Sequence, residues 1–228
     1  MDKKTIRLAS YNIRKTRGLD QRRDPGRIID VLNALDADIV ALQEADHRLA
    51  PRVAALPREL IEKETDFRVV DVAPNDVSLG WHGNAILARS PFVARDVRPV
   101  DLPGLEPRGA VAVDFDNGVS VIGAHLGLMR RHRQKQLAAL HQLAEPTANC
   151  AILGDFNEWS AEKGLEPLEQ SFDIHAPGLS FHARRPVAAL DRIALSPGLA
   201  LRDAGVDESP LARQASDHLP IWADIAPM

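Results

Sequence analysis

Apolar and polar positions alternate along this chain in two rhythms, one of period two and one near 3.6. The segment "IRLASYNI" (6–13) places Ile6, Leu8 and Ser10 on one face of an extended strand. The next stretch, "RRDPGRIIDVLNALDADIVALQEA", changes rhythm. Asp24-Pro25 predicts an N-cap and first turn, and Ile28, Leu32 and Leu35 recur at helical spacing. "DIVALQE" (38–44) is short, apolar and rich in β-branched residues, which predicts a second buried strand. A second helix is predicted from Val53 to Lys63, shortened or bent at Pro57.

Five strand patterns follow: "FRVVDV", "NAILAR", "FVARDVRPV", "GAVAVDF" and "VSVIGAHL". Asn117-Gly118 predicts a hairpin between the last two. "RRHRQKQLAALHQLAE" (130–145) predicts a helix with Leu137, Leu140 and Ala144 as its apolar stripe and Pro146 as its stop. "CAILG", "AALDRIAL" and "LPIWADI" read as strands, and "DVAPNDVSLGWHG" (71–83) as a rim loop. Strands outnumber helices, and hairpins occur beside crossover helices. That combination predicts mixed sheets flanked by helices. No linker or repeat interrupts it, so residues 1–228 are expected to form one domain.

Composition narrows the class. The chain has 228 residues, 45% hydrophobic and 26% charged, as a soluble globular protein has. No apolar run approaches the roughly 18 residues of a membrane helix. The opening "MDKKTIRLASYNIR" lacks the apolar stretch of a signal peptide. Cys150 is the single cysteine, which excludes an intrachain disulfide and a cysteine-rich zinc site; beside "AILG" it reads as a buried strand thiol. These features point to a cytoplasmic enzyme with no obligate protein partner. A net charge of -4 predicts no general affinity for nucleic acid. A carboxylate-rich metal site is itself negative, however, and attracts phosphate only through a cation.

The candidate chemistry lies at strand ends. Asn12 closes the first strand, Glu44 the second and His125 the "VSVIGAH" strand. Asp155 and Asn157 follow "AILG", Asp191 opens a later strand, and Asp217-His218 precedes the last. Each has a local reading when taken alone. Asn12, Asn157 and Asp217 serve as turn residues, Asp155 and Asp191 as caps, Glu44 as a solvated strand end and His125 as a buried edge histidine. Their convergence on one rim is the functional reading.

The segments "ASYNIR", "DADIVALQEAD", "GNAILAR", "IGAHLG", "LGDFNEW", "ALDRIALS" and "SDHLPIWADI" resemble, in order and from first strand to last, the endonuclease/exonuclease/phosphatase family. The resemblance implies a four-layered α/β sandwich with two packed mixed sheets. It also implies Mg2+-dependent hydrolysis of phosphate esters, with Mn2+ as a substitute ion. It assigns Glu44, Asp217, Asn12 and Asp155 to the metal site, with Glu44 the main direct ligand. Asp155 orients the attacking water, Asn157 donates to phosphate, and His218 is held by Asp191. His125 is the second active-site histidine; the sequence around Trp81, His82 and Asn84 offers it no acidic partner.

The chemistry is coherent without the family name, since hydroxide attack on an anionic diester requires neutralised charge and Mg2+ prefers oxygen ligands. Where some branches place an acid two residues after the early asparagine, this chain has Arg14, a candidate phosphate clamp. Arg133 in "MRRHRQKQ" and Arg184 in "SFHARRP" are further phosphate candidates, each also readable as a solvated surface charge. The expected function is a nuclease-like phosphodiesterase. The alternatives are a lipid or small-molecule phosphodiesterase, a phosphomonoesterase, or a non-catalytic phosphate-binding module.

Overall fold

The computed structural model describes residues 5–144, 148–160 and 163–228, so the helix stop expected at Pro146 lies outside the described residues. Among the described residues twelve strands are formed: β1 (Ile6–Asn12), β2 (Ile39–Gln43), β3 (Phe67–Val69), β4 (Ala85–Arg89), β5 (Ala94–Leu102), β6 (Arg108–Phe115), β7 (Ser120–His125), β8 (Cys150–Asp155), β9 (Asp173–His175), β10 (Asp191–Leu195), β11 (Leu199–Val206) and β12 (Ile221–Pro227). The α-helices are α1 (Pro25–Ala34), α2 (Arg58–Glu64), α3 (Arg130–Ala144), α4 (Glu166–Glu169) and α5 (Pro210–Ala215).

The strands make two six-stranded mixed sheets, ordered β11-β12-β1-β2-β4-β3 and β5-β6-β7-β8-β10-β9. Leu8, Ile39 and Ile86 of the first sheet meet Val111, Val121, Leu153 and Ile193 of the second in one buried core. The first sheet's other face packs Tyr11, Val40 and Leu42 against Ile28, Leu32 and Ile61 of α1 and α2. The second sheet's other face packs Ile122 and Ile152 against Leu137, Leu140 and Leu168 of α3 and α4. The result is a four-layered α/β sandwich, as period-two strands buried on both faces require.

Local chemistry explains most boundaries. The Asp24 side chain accepts from the Arg27 amide, and Pro25 follows at the first helical position. The second helix begins at Arg58, after Pro57, rather than at Val53. Proline lacks an N–H and clashes with a preceding turn, so Pro57 marks the start of the helix instead of bending it. The Asn117-Gly118 hairpin joins antiparallel β6 and β7, with Gly118 at φ 80°. Gly154 meets a tighter demand: at φ 154°, a Cβ there would lie 1.8 Å from the Ala124 carbonyl oxygen on β7. Only glycine allows β7 and β8 to run side by side up to their functional ends.

Candidate active site

Strand register delivers the site. Parallel β7 and β8 place His125 opposite Asp155, and antiparallel β8 and β10 place Asp191 opposite Asp155. Three chemically active residues thus form one row across the second sheet. In the first sheet, Asn12 pairs with Gln43, which places Glu44 one residue beyond, at φ 54°. The loop carrying Asp217-His218 is tied to the same edge, because Ser216 Oγ donates to the Asn12 carbonyl at 2.7 Å.

Asp155 is the hub. Its Oδ2 accepts from Asn12 Nδ2 at 3.0 Å, bridging the two sheets, and lies 3.3 Å from His125 Nε2 and 3.6 Å from His218 Nε2. Its Oδ1 accepts from the Asn157 backbone N–H at 3.0 Å. Behind His218, Nδ1 lies 2.8 Å from Asp191 Oδ2, which also accepts from Ser180 Oγ at 2.5 Å. A carboxylate on Nδ1 assigns the proton there and fixes the ring.

The two imidazoles are tuned in opposite directions. Burial opposes charge on His218, but Asp191 and Asp155 outweigh it and raise its pKa to about 10. His125 is held well below the ordinary histidine value by burial and by the Arg108 charge. Burial also raises Asp155, against the lowering influence of His218. The site therefore combines a cationic donor, a neutral imidazole and a carboxylate with heightened basicity.

The family resemblance assigns a metal to this cleft, and the donor chemistry fits one. Asn12, Glu44, Asp155 and Asp217 line a cleft of about 280 Å³ together with both histidines. Two of these acids already hold cations: Lys15 Nζ contacts Glu44, and Arg14 Nε lies 3.1 Å from Asp217. Carboxylate oxygens facing a cleft are the donors that hard divalent ions take. The tightest acidic and histidine grouping among the described residues is Asp155, Asp191 and His218. That grouping already satisfies itself through the Asp191–His218 bond, and Asp191 is fully buried. We therefore read it as an imidazole-holding device; Glu44, Asp217 and Asp155 are the carboxylates that line the cleft. Asn12 spends its amide on Asp155 and its oxygen on the Arg14 amide, so its contribution is to position its neighbours.

Other expected residues fall differently. Asn157 lines the cleft, but its Nδ2 donates to the Leu126 carbonyl at 2.9 Å and ties β8 to β7. Arg14 sits at the edge of the cleft on Asp217. Arg133 is buried, with Nη2 2.8 Å from Glu158 and Nη1 on the Leu128 carbonyl, so it braces the loops behind the cleft. Arg184 is exposed and lines neither the cleft nor the cavity beside it. The structure adds Arg108, buried and lining the cleft next to His125. An arginine heading the apolar run of "RGAVAVDF" was the available signal. It also adds Phe181, whose ring lies 4.9 Å from that of His218, with Trp159 edge-on to it at 5.9 Å.

Comparison with known proteins agrees with this fold. A model of the endonuclease/exonuclease/phosphatase family matches residues 9–218. The uncharacterized protein YbhP of Escherichia coli K12 is 30% identical over 221 residues, covering 86% of each chain. An endonuclease/exonuclease/phosphatase structure from Bacteroides vulgatus is similar at TM-score 0.78 and 17% identity, over 99% of this chain and 100% of that one. The D. rerio TDP2 structure complexed with a single strand DNA product is similar at TM-score 0.74 and 17% identity, over 97% and 98%. The chain belongs to the endonuclease/exonuclease/phosphatase family, whose members are metal-dependent phosphoesterases.

Proposed function

We propose that this family member is a Mg2+-dependent phosphodiesterase of nuclease type, acting as a single cytoplasmic domain. The observation that carries the reading is the meeting of His125, His218 and Asn12 on one oxygen of Asp155. Glu44, Asp217 and Asp155 would hold the ion. A divalent ion held there, Mg2+ or Mn2+, would supply positive charge against the negative charge that develops on the phosphate. Asp155 orients water and takes its proton as the water oxygen bonds phosphorus and the bond from phosphorus to the departing oxygen breaks. His218, kept cationic by Asp191, donates to a phosphoryl oxygen that gains charge. His125 offers a neutral N–H on the opposite side of Asp155. Arg108 and Arg14 add guanidinium donors for phosphate. The DNA product held by the TDP2 structure supports a nucleic-acid diester as the substrate class.

A second reading, a lipid or small-molecule diester, draws on Trp159 and Leu128, which line the cleft and are 62% and 64% exposed. One substrate panel separates the two: bis-p-nitrophenyl phosphate, p-nitrophenyl phosphate, plasmid DNA, single-stranded oligonucleotide, RNA and sphingomyelin, each with Mg2+, Mn2+ or chelator. The expected result is metal-dependent cleavage of bis-p-nitrophenyl phosphate and of nucleic acid. Cleavage confined to the monoester, or indifferent to chelator, contradicts the proposal.

A further inference from the structure

Beside the catalytic cleft lies a more closed cavity of about 140 Å³ that the reaction outlined above does not use. It shares Glu44, Arg48, Arg108 and His125 with the cleft, so a ligand can span both. We propose that this cavity binds a terminal phosphate of the substrate, directing cleavage to a phosphodiester next to a phosphorylated end. The placement of the scissile bond rests on the phosphodiesterase reading; the anion pocket itself does not.

Charge and satisfaction both point to an anion. Lys15, Arg48, Arg52 and Arg108 face three carboxylates in the lining, and each carboxylate is engaged. Glu44 holds Lys15, Glu106 accepts from Arg108 Nη2 at 3.0 Å, and Asp46 accepts from the Leu79 and Gly80 amides at 2.7 and 3.2 Å. Among the described residues, the Arg48 and Arg52 guanidinium groups have no hydrogen-bond or ion-pair partner. A third guanidinium, that of Arg108, a residue only 8% exposed, has its Nε buried without a partner. Buried polar atoms are nearly always paired, so the Arg108 Nε calls for an acceptor, and the exposed Arg48 and half-buried Arg52 have guanidinium groups free to turn to the same anion.

Shape selects phosphate among the anions. The cationic side chains arrive from three separate segments: the turn after β1, the loop after β2 and the start of β6. Donors from several directions suit a tetrahedral group with three free oxygens better than a flat carboxylate. The volume is well below the roughly 300 Å³ at which small-molecule pockets begin, so a phosphate group is admitted and a nucleoside is not. A pocket with room for one phosphate group fits a chain end, because an internal phosphate needs room for the strand on both sides.

Two measurements test this. Equilibrium dialysis with inorganic phosphate on chelated protein compares wild type with Arg52→Ala, Arg48→Ala and the exposed helix variant Arg131→Ala. Wild type and Arg131→Ala are expected to bind alike, and each cavity variant about tenfold more weakly. Kinetics with Mg2+ then compare the dinucleotides TpT, pTpT and TpTp. One phosphorylated form is expected to exceed TpT in kcat/KM by about tenfold or more, and the ratio to collapse toward one in Arg52→Ala. Arg48→Ala, an exposed loop position, repeats the test should Arg52→Ala misfold. Phosphate binding unchanged in both cavity variants, or no preference for either phosphorylated end over TpT, overturns the proposal. If no dinucleotide is cleaved while phosphate binding still depends on Arg52 and Arg48, the pocket stands and the phosphodiesterase reading falls.

Discussion

Asp191 Oδ2 lies 2.8 Å from His218 Nδ1, and the carboxylate is wholly shielded from water. Shielding makes the contact strong, since no solvent competes for either partner. The pair sets both the direction in which Nε2 points and the charge the ring carries. Asp191 does not reach the reacting atoms, so it is a positioning residue. Asp191→Asn is expected to lower kcat by about 10²–10⁴-fold with little change in KM, as loss of a general acid-base or orienting group does. A KM rise at unchanged kcat contradicts this role.

The Arg133–Glu158 pair, 2.8 Å apart and buried at both ends, gives a prediction about stability. Removing one partner leaves a charge without compensation in a shielded place. Arg133→Met is expected to destabilise the fold by about 3 kcal/mol, read from the urea midpoint. A variant as stable as wild type but with raised KM would return Arg133 to the substrate.

Arg133 also shows what the sequence leaves illegible. "MRRHRQKQ" announces a basic helix start but not which arginine faces inward. The helical stripe that buries Leu137, Leu140 and Ala144 also carries Arg133 toward Glu158, a partner 25 residues away. Arg108 is hidden in the opposite way, as a charge at the head of a largely apolar strand. Strands whose side chains are buried on both faces, such as β2, β7 and β8, were legible because burial imposes the pattern. β11, largely half-exposed and irregular between Leu201 and Asp203, and the three-residue β9 carry no such pattern. The row His125, Asp155, Asp191 was readable as strand ends; its cross-strand register was not, because register is set by pairing.

Cys150 supplies a pH test remote from the cleft. Burial pushes its thiol from 9.0 up to about 12. The folded state thus holds the proton more tightly than the unfolded chain. Its stabilising contribution is complete below pH 9 and is lost as pH rises from 9 through 12. Across that window, wild type is expected to lose stability relative to Cys150→Ala, by on the order of a few kcal/mol at most. Urea midpoints of both proteins from pH 8 to 11 check this; a gap that stays constant with pH contradicts it.

The central claim is that Asp155, flanked by two histidines and beside the cation position at Glu44, performs metal-dependent phosphodiester hydrolysis. The most direct measurement is the rate of bis-p-nitrophenyl phosphate hydrolysis by wild type, Asp155→Asn and Glu44→Gln across a Mg2+ titration with a chelator control. Wild type is expected to lose its activity in chelator, Asp155→Asn to lose about 10²–10⁴-fold in kcat at saturating Mg2+, and Glu44→Gln to need more Mg2+ for half-maximal rate. Full rate in Asp155→Asn, or a wild-type rate indifferent to chelator, would contradict the account.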